Sequence, residues 1–259
     1  MSEAPISPAT PDATLVSAEP PYGPTPRRSR WRPVRVLWEW AKSMTTALVL
    51  FFLVRSFLVE AFKIPSGSME GTLLVGDFLL VNKLVYGAEV PFTGTRLPAM
   101  HAPLRGEVIV FRWPEDPTKD FVKRVVGLPG DTLSMVDGVL QLNGGALKEG
   151  YTSHTEPGAD PAGEEFRWQR QFLARHAIAG ASYHPSRNNW GPLVVPNAHL
   201  FVLGDNRDNS LDSRYWGFVP DSMVKGRPML VYFSYAPDSA SSVPFLTKVR
   251  WHRLGMRVR

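Results

Sequence analysis

A mainly β domain of antiparallel sheets, preceded by one transmembrane helix, is the fold class that this 259-residue sequence predicts. Three observations predict it. The longest apolar stretch lies near the N-terminus. Short segments rich in β-branched and aromatic residues follow Pro65. Those segments are separated by long polar stretches, which suits antiparallel sheets better than βαβ units. An apolar fraction of 44% with 11% aromatics suits a folded domain with a core. Cysteine is absent, which excludes disulfides and thiolate metal sites.

Residues 1–35 precede the apolar stretch. Eight of the 24 prolines fall within residues 1–33, and large apolar groups are few, so a disordered Pro-rich tail is expected. The net charge of +5 is unevenly spread, with Arg27, Arg28, Arg30, Arg32 and Arg35 clustered at the end of this tail. Such a cluster suits nucleic acid or an anionic membrane. The apolar run directly behind it favours the membrane and argues against nucleic acid.

That run is "MTTALVLFFLV", Met44 to Val54, without a charge. Eleven uncharged residues also suit a buried core helix. Counted from Ala41 to Ala61 the stretch has 21 residues, or about 30 Å as a helix, one hydrocarbon core. Lys42 and Arg55 lie near its ends, where they can snorkel, and Trp38 and Trp40 occupy belt positions. An anchor helix over 36–61 is therefore expected. The arginines before it place the N-terminus in the cytoplasm and residues 62–259 outside. Val59-Glu60-Ala61 resembles a cleavage site, but the long basic leader and the nearby Arg55 and Glu60 argue against a cleaved signal.

Strands are expected at 77–86, 107–111, 121–127, 132–136, 139–142, 199–205 and 229–235. "VDGVLQLNGG" reads as a hairpin turning at Asp-Gly. Residues 145–190 are polar and read as a less ordered insertion. No internal repeat, phosphate loop or metal-ligand spacing is present, and the six histidines are scattered. Neither a cofactor nor a metal is expected.

The segment "IPSGSMEGTLLVGD" (64–77) carries two serines without a histidine or acidic partner at catalytic spacing. Serines beside glycines commonly mark turns. A nucleophilic serine needs a neighbour to take its proton. Lysine is the remaining common base, and it must be neutral to serve. A fall from about 10.4 to near neutrality is worth roughly 4 kcal/mol, which burial in an apolar setting supplies. Lys123 in "DFVKRVVGLPGD" fits, with Phe121 and Val125 on its side of an alternating strand. Lys83 in "LLVNKLVYG" competes from a more polar strand, and a strand lysine is often an edge charge.

"IPSGSMEGTLLVGD", "FVKRVVGLPGD" and "GDNRDNSLDSRYWGFVP" (204–220) occur in that order after a membrane segment ending in "RSF". Together they resemble the bacterial signal peptidase I family of Ser/Lys-dyad proteases, over about residues 50–235. "VRWHRLGMR" is similar to the family's basic C-terminal end. The resemblance implies that Ser68 is the nucleophile and Lys123 its general base. It implies that Ser66 joins the Ser68 N–H in the oxyanion hole and that Ser210 orients the lysine. Asp212 with Arg214, and Arg124 with Asp205, would form structural ion pairs. Phe62, Ile64, Met69, Leu73, Leu79, Val110 and Val122 would line the substrate pockets, although apolar residues there also serve as core.

The implied activity is removal of signal peptides from exported preproteins by cleavage after small residues in an Ala-x-Ala pattern. The implied partners are preprotein signal peptides, membrane lipid and, transiently, the secretion translocon. The implied location is a bacterial cytoplasmic membrane with the catalytic domain on the outer face. Gly71 departs from the family, which places a proline there, and only one membrane helix is found where many relatives have two. A Ser/Lys autoprotease of another kind, and a tethered binder of exported chains, are the competing expectations.

Overall fold

The computed structural model describes residues 32–90, 93–155, 158–174, 183–237 and 248–259. The proline-rich tail, up to Trp31, lies outside the described residues, as do 156–157 and 175–182 of the expected insertion. Two compact units divide near residue 47.

The first element is helix α1, Arg32–Leu53. Its large apolar side chains, among them Leu37, Trp40, Leu50 and Phe52, are exposed along its length. A span of 25 residues, Val34–Leu58, is long and apolar enough to cross a membrane. The helix ends earlier than expected. A π-helical turn covers Val54–Leu58 and the chain then extends as strand β1, Val59–Lys63. "FLVEAF" is apolar enough for either conformation. Pairing with β2, Asp77–Asn82, decides it by placing Phe62 opposite Leu79.

The remaining strands among the described residues are β3 (Val108–Trp113), β4 (Asp116–Gly127), β5 (Thr132–Val136) and β6 (Val139–Leu142). Then come β7 (Gly145–Ala146), β8 (Trp190–Val194), β9 (His199–Leu203), β10 (Val219–Pro220) and β11 (Val224–Ser234). A seven-stranded sheet has the order β1-β2-β11-β3-β4-β9-β10, and a four-stranded sheet the order β7-β6-β5-β8. All named pairings are antiparallel. The mainly β antiparallel expectation is met. The predicted hairpin forms between β5 and β6, and Asp137 and Gly138 both take positive φ, as a type I′ turn requires.

Strand β3 explains why the large sheet is stable. Its "VIVF" run has no polar alternation because both faces are covered. Val108 and Val110 pack with Ile64, Met69, Leu73 and Leu79, whereas Ile109 and Phe111 pack with Val125, Val202 and Val219. A third cluster, including Val126, Leu133, Trp190 and Phe201, joins residues from the two sheets.

Two segments that read as polar are docked. Residues Glu164–Phe172 form a 3₁₀ helix that buries Phe166 and Gln169. Trp168 Nε1 and Gln169 Nε2 donate to the Arg214 carbonyl at 3.0 and 3.1 Å. This described part of the expected insertion therefore packs against the block around residue 214. The basic C-terminal stretch also folds back. Val258 enters the core, and Arg253 Nη2 sits 2.6 Å from the fully buried Asp77 carboxylate.

Burial acts to raise the Asp77 carboxyl, but hydrogen bonds from Arg253, Leu74 N–H and Ser234 outweigh it and hold it below the usual carboxylate value. Its contribution to stability is thus complete above about pH 4 and is lost as pH falls through the folded value. Replacing Arg253 by methionine leaves Asp77 buried and unpaired. We expect a loss of about 3–5 kcal/mol, read by chemical denaturation of the full chain in detergent at pH 7, and a smaller loss below pH 3.

Candidate active site

The site is built where the turn after β1 meets the middle of β4. Ile64 and Pro65 continue the extended chain. Ser66 is also extended, at φ −132° and ψ 159°. Gly67–Met69 then closes a 3₁₀ turn that sends Met69 into the core and leaves Ser68 partly exposed. From the neighbouring strand, Lys123 projects to Ser68. Its Nζ lies 2.7 Å from Ser68 Oγ and also donates to the Val122 carbonyl at 3.1 Å. Ser66 Oγ is 3.4 Å from Ser68 Oγ.

Lys123 is only 4% exposed and has no carboxylate within ion-pair distance among the described residues. The Phe121 ring lies 5.4 Å from its ammonium position, on the side that strand alternation predicts. Burial lowers the lysine to about 8; the charges of Asp212 and Asp205 act to raise it and that of Arg214 to lower it further. A fall from 10.5 to about 8 corresponds to about 3 kcal/mol against the charged form. Lys83, the competing lysine, is occupied elsewhere, with its Nζ 3.5 Å from Glu60.

The two expected ion pairs are both present and both buried. Arg124 forks onto Asp205 through Nε at 2.8 Å and Nη2 at 2.6 Å. Arg214 forks onto Asp212 through Nε and Nη2, both at 2.8 Å. Burial acts to raise the Asp212 carboxyl, but Arg214 and the Gly204 N–H hold it below the usual carboxylate value. Ser210 differs from expectation. No hydrogen bond joins it to Lys123; its buried hydroxyl instead helps to hold the neighbouring Asp212 carboxyl low.

A cavity of about 260 Å³ opens over the Ser68–Lys123 pair. Of the expected pocket residues, Phe62, Ile64, Met69 and Val122 line it. Leu73, Leu79 and Val110 do not. They are fully buried behind it in the cluster that also holds Met69. Strand periodicity told which residues share a face but not which of them reach the surface.

Contacts that sequence reasoning missed hold the serine turn in place. Asn206 donates from its backbone N–H to the Ser68 carbonyl at 3.1 Å and from Nδ2 to the Gly67 carbonyl at 3.3 Å. Thr72 Oγ1 donates to Asp205 at 2.6 Å. The turn is therefore fastened on both sides of Ser68 to one acidic loop. The only signal in the sequence was the density of Asn and Asp in "GDNRDNS". Gly71 adopts φ +105°, a conformation closed to proline, whose ring fixes φ near −65°. The departure at this position thus follows from the path the backbone takes here.

Among known proteins, residues 37–233 match the family described as Signal peptidase, peptidase S26. The chain is 40% identical over 228 residues to the signal peptidase I of Pseudomonas aeruginosa, covering 83% of this chain and 78% of that one. It is 39% identical over 225 residues to the signal peptidase I of Pseudomonas fluorescens, covering 83% and 78%. Against the signal peptidase I of Aquifex aeolicus it is 34% identical over 230 residues, covering 77% and 82%. The protein is a peptide-bond hydrolase. The chain belongs to the signal peptidase family, peptidase S26, as the three ordered blocks implied.

Gly204 sits where the acidic loop passes close to the serine turn. A Cβ there would lie 2.4 Å from the Ser68 carbonyl oxygen and 2.1 Å from Ser210 Oγ. Gly204→Ala is expected to destabilise the protein by about 1–3 kcal/mol. It should also lower peptidase turnover at least about ten-fold by displacing the Ser68 turn. Denaturation and initial rates on the same preparation check both.

Proposed function

We propose that this chain is a membrane-anchored serine endopeptidase that removes N-terminal signal peptides from exported preproteins with a Ser68/Lys123 dyad. The observation that carries the proposal is the 2.7 Å separation of Lys123 Nζ from Ser68 Oγ, with the lysine buried and lowered to about 8. A neutral amine keeps one lone pair, which accepts the Ser68 O–H while an N–H still donates to the Val122 carbonyl.

Lys123 takes the Ser68 proton as Oγ attacks the scissile carbonyl carbon. The Ser68 N–H and Ser66 O–H stabilise the oxyanion. The Lys123 ammonium returns a proton to the leaving amine, and the C–N bond breaks to leave an ester on Ser68. Lys123 then takes a proton from water, whose oxygen attacks the ester. The signal peptide leaves as a carboxylic acid and Ser68 regains its proton. The apolar lining of Phe62, Ile64, Met69 and Val122 and the modest cavity suit small side chains before the cut, as in Ala-x-Ala. Ser210 is assigned a positioning role through the loop it shares with Asp212.

The span Val34–Leu58 supports a single anchor helix, and the arginine cluster before it supports a cytoplasmic N-terminus. The catalytic domain would then stand on the outer face of a bacterial cytoplasmic membrane. There it meets lipid, preprotein signal peptides and, transiently, the translocon.

Purified enzyme in detergent with a preprotein tests this. Ser68→Ala and Lys123→Met should each lower turnover by at least about 10³-fold. Ser66→Ala should lower kcat by about 10²-fold with little change in KM. Normal turnover in either dyad variant would refute the assignment.

The pH profile is a separate test. The base is protonated and idle below its folded value, so activity should rise about ten-fold per pH unit on the acid side. It should level off above about pH 8. A flat profile between pH 6 and 9, with chemistry rate-limiting, would exclude Lys123 as the base.

A further inference from the structure

Outside the proposed active site, a charged cleft of about 430 Å³ opens just after the end of α1. Its walls carry five cations: Arg55, Lys83, Arg96, Arg112 and Lys225. Only two carboxylates, Glu60 and Glu89, line it with them. Glu89 is 2.6 Å from Arg112, and Glu60 is 3.5 Å from both Lys83 and Lys225. A third carboxylate outside the lining, Asp120, reaches Lys225 at 2.8 Å. Arg55 and Arg96 have no carboxylate within ion-pair distance among the described residues. Burial holds Arg96 below the usual arginine value; Glu89 offsets part of this and Arg112 adds to it.

Such a cleft repels cations and concentrates anions. Guanidinium groups with unused donors match the oxygens of a phosphate by bidentate hydrogen bonds. Phe52, the last aromatic residue of α1, lines the same cleft and supplies an apolar edge beside the charges. Arg55 comes from the end of the apolar span, Glu60, Arg112 and Lys225 from β1, β3 and β11, and Lys83, Glu89 and Arg96 from the stretch after β2. Nothing in the proposed cleavage mechanism uses them.

The geometry points to a phosphate-binding cleft whose occupant is the headgroup of an anionic phospholipid. Arg55 and Arg96 are the primary ligands, and the paired Lys83, Arg112 and Lys225 complete the positive wall. The choice of lipid as the source rests on the anchored reading above, since Arg55 lies at the end of the proposed span. Binding there would fix the height of the β domain relative to the membrane surface, where the cut site of an anchored signal peptide must lie.

The test uses the full-length protein in a neutral detergent. Its thermal midpoint is followed during titration with dihexanoylphosphatidylglycerol, dihexanoylphosphatidylcholine and inorganic phosphate. The glycerol lipid should raise the midpoint at concentrations where the choline lipid and inorganic phosphate do not. The Arg55→Gln/Arg96→Gln double variant should need about thirty-fold more of it, about five-fold for each cation removed from an anionic surface. Its preprotein cleavage in the same detergent should stay within two-fold of wild type.

An equal response of wild type and double variant overturns the site. Inorganic phosphate acting as well as the glycerol lipid, with both effects lost in the double variant, overturns the lipid assignment in favour of free phosphate. A double variant that fails only on preproteins with acidic residues after the cut, without lipid dependence, overturns it in favour of a peptide. Failure of wild type to cleave would count against the peptidase reading instead and leave the titration standing.

Discussion

Desolvation of one amine is the constraint on which the rest of this structure depends. As the proposed base, Lys123 needs its uncharged form accessible near neutrality, and bulk water would keep it charged. The β4 strand, flanked by β3 and β9, removes that water. The apolar clusters on the two faces of the large sheet keep the strand in place. The serine turn then needs to bring Oγ only within hydrogen-bond distance. Asn206 and Thr72 provide that placement through contacts made at the other end of the chain.

The buried ion pairs follow from the same constraint. A lone carboxylate beside Lys123 would favour the ammonium form and undo the effect of burial. Asp205 and Asp212 are each neutralised by an arginine in a bidentate fork, so their raising effect on the lysine is small against desolvation. An apolar replacement of each pair would also keep the lysine dry. The pairs do something that an apolar replacement would not. Arg124 also donates to the Gly106 and Arg259 carbonyls, and Arg214 to the Arg207 carbonyl, so each fork ties separate loops together. Direction and reach, more than net stability, explain their presence here.

Legibility in the sequence divided along physical lines. Elements set by local pattern were readable. The "VIVF" and "LFVL" runs gave β3 and β9, and Asp-Gly gave the hairpin. Lys123 stood out because its neighbours on one strand face are apolar. What depended on distant partners was not readable. Lys83 is set apart in the sequence only by its more polar strand, and its engagement by Glu60 depends on the pairing of β1 with β2. The end of the anchor could not be placed, because "FLVEAF" becomes a strand only through pairing with β2. Leu73, Leu79 and Val110 share the chemistry of the pocket residues but lie one layer deeper. Asp77 and Arg253 are 176 residues apart and no pattern links them.

Ser210 shows why a residue's class cannot replace its geometry. Its buried hydroxyl sits beside the Asp212 carboxyl and favours its charged form, in place of the expected contact with Lys123. A hydroxyl rotates freely, and Gly204 leaves no room for the residue to shift toward the main chain. Its remaining freedom is therefore to turn. Lys123 holds the hydrogen bond to Ser68 in the resting arrangement, and in the proposed mechanism that bond weakens as Oγ attacks and its proton passes to the amine, before the leaving amine takes that proton up. At that stage the Lys123 ammonium has one more N–H to place than the neutral amine had. Under the proposed mechanism, an acceptor that met the ammonium only then would stabilise the intermediate and not the resting site, which is where stabilisation accelerates the reaction.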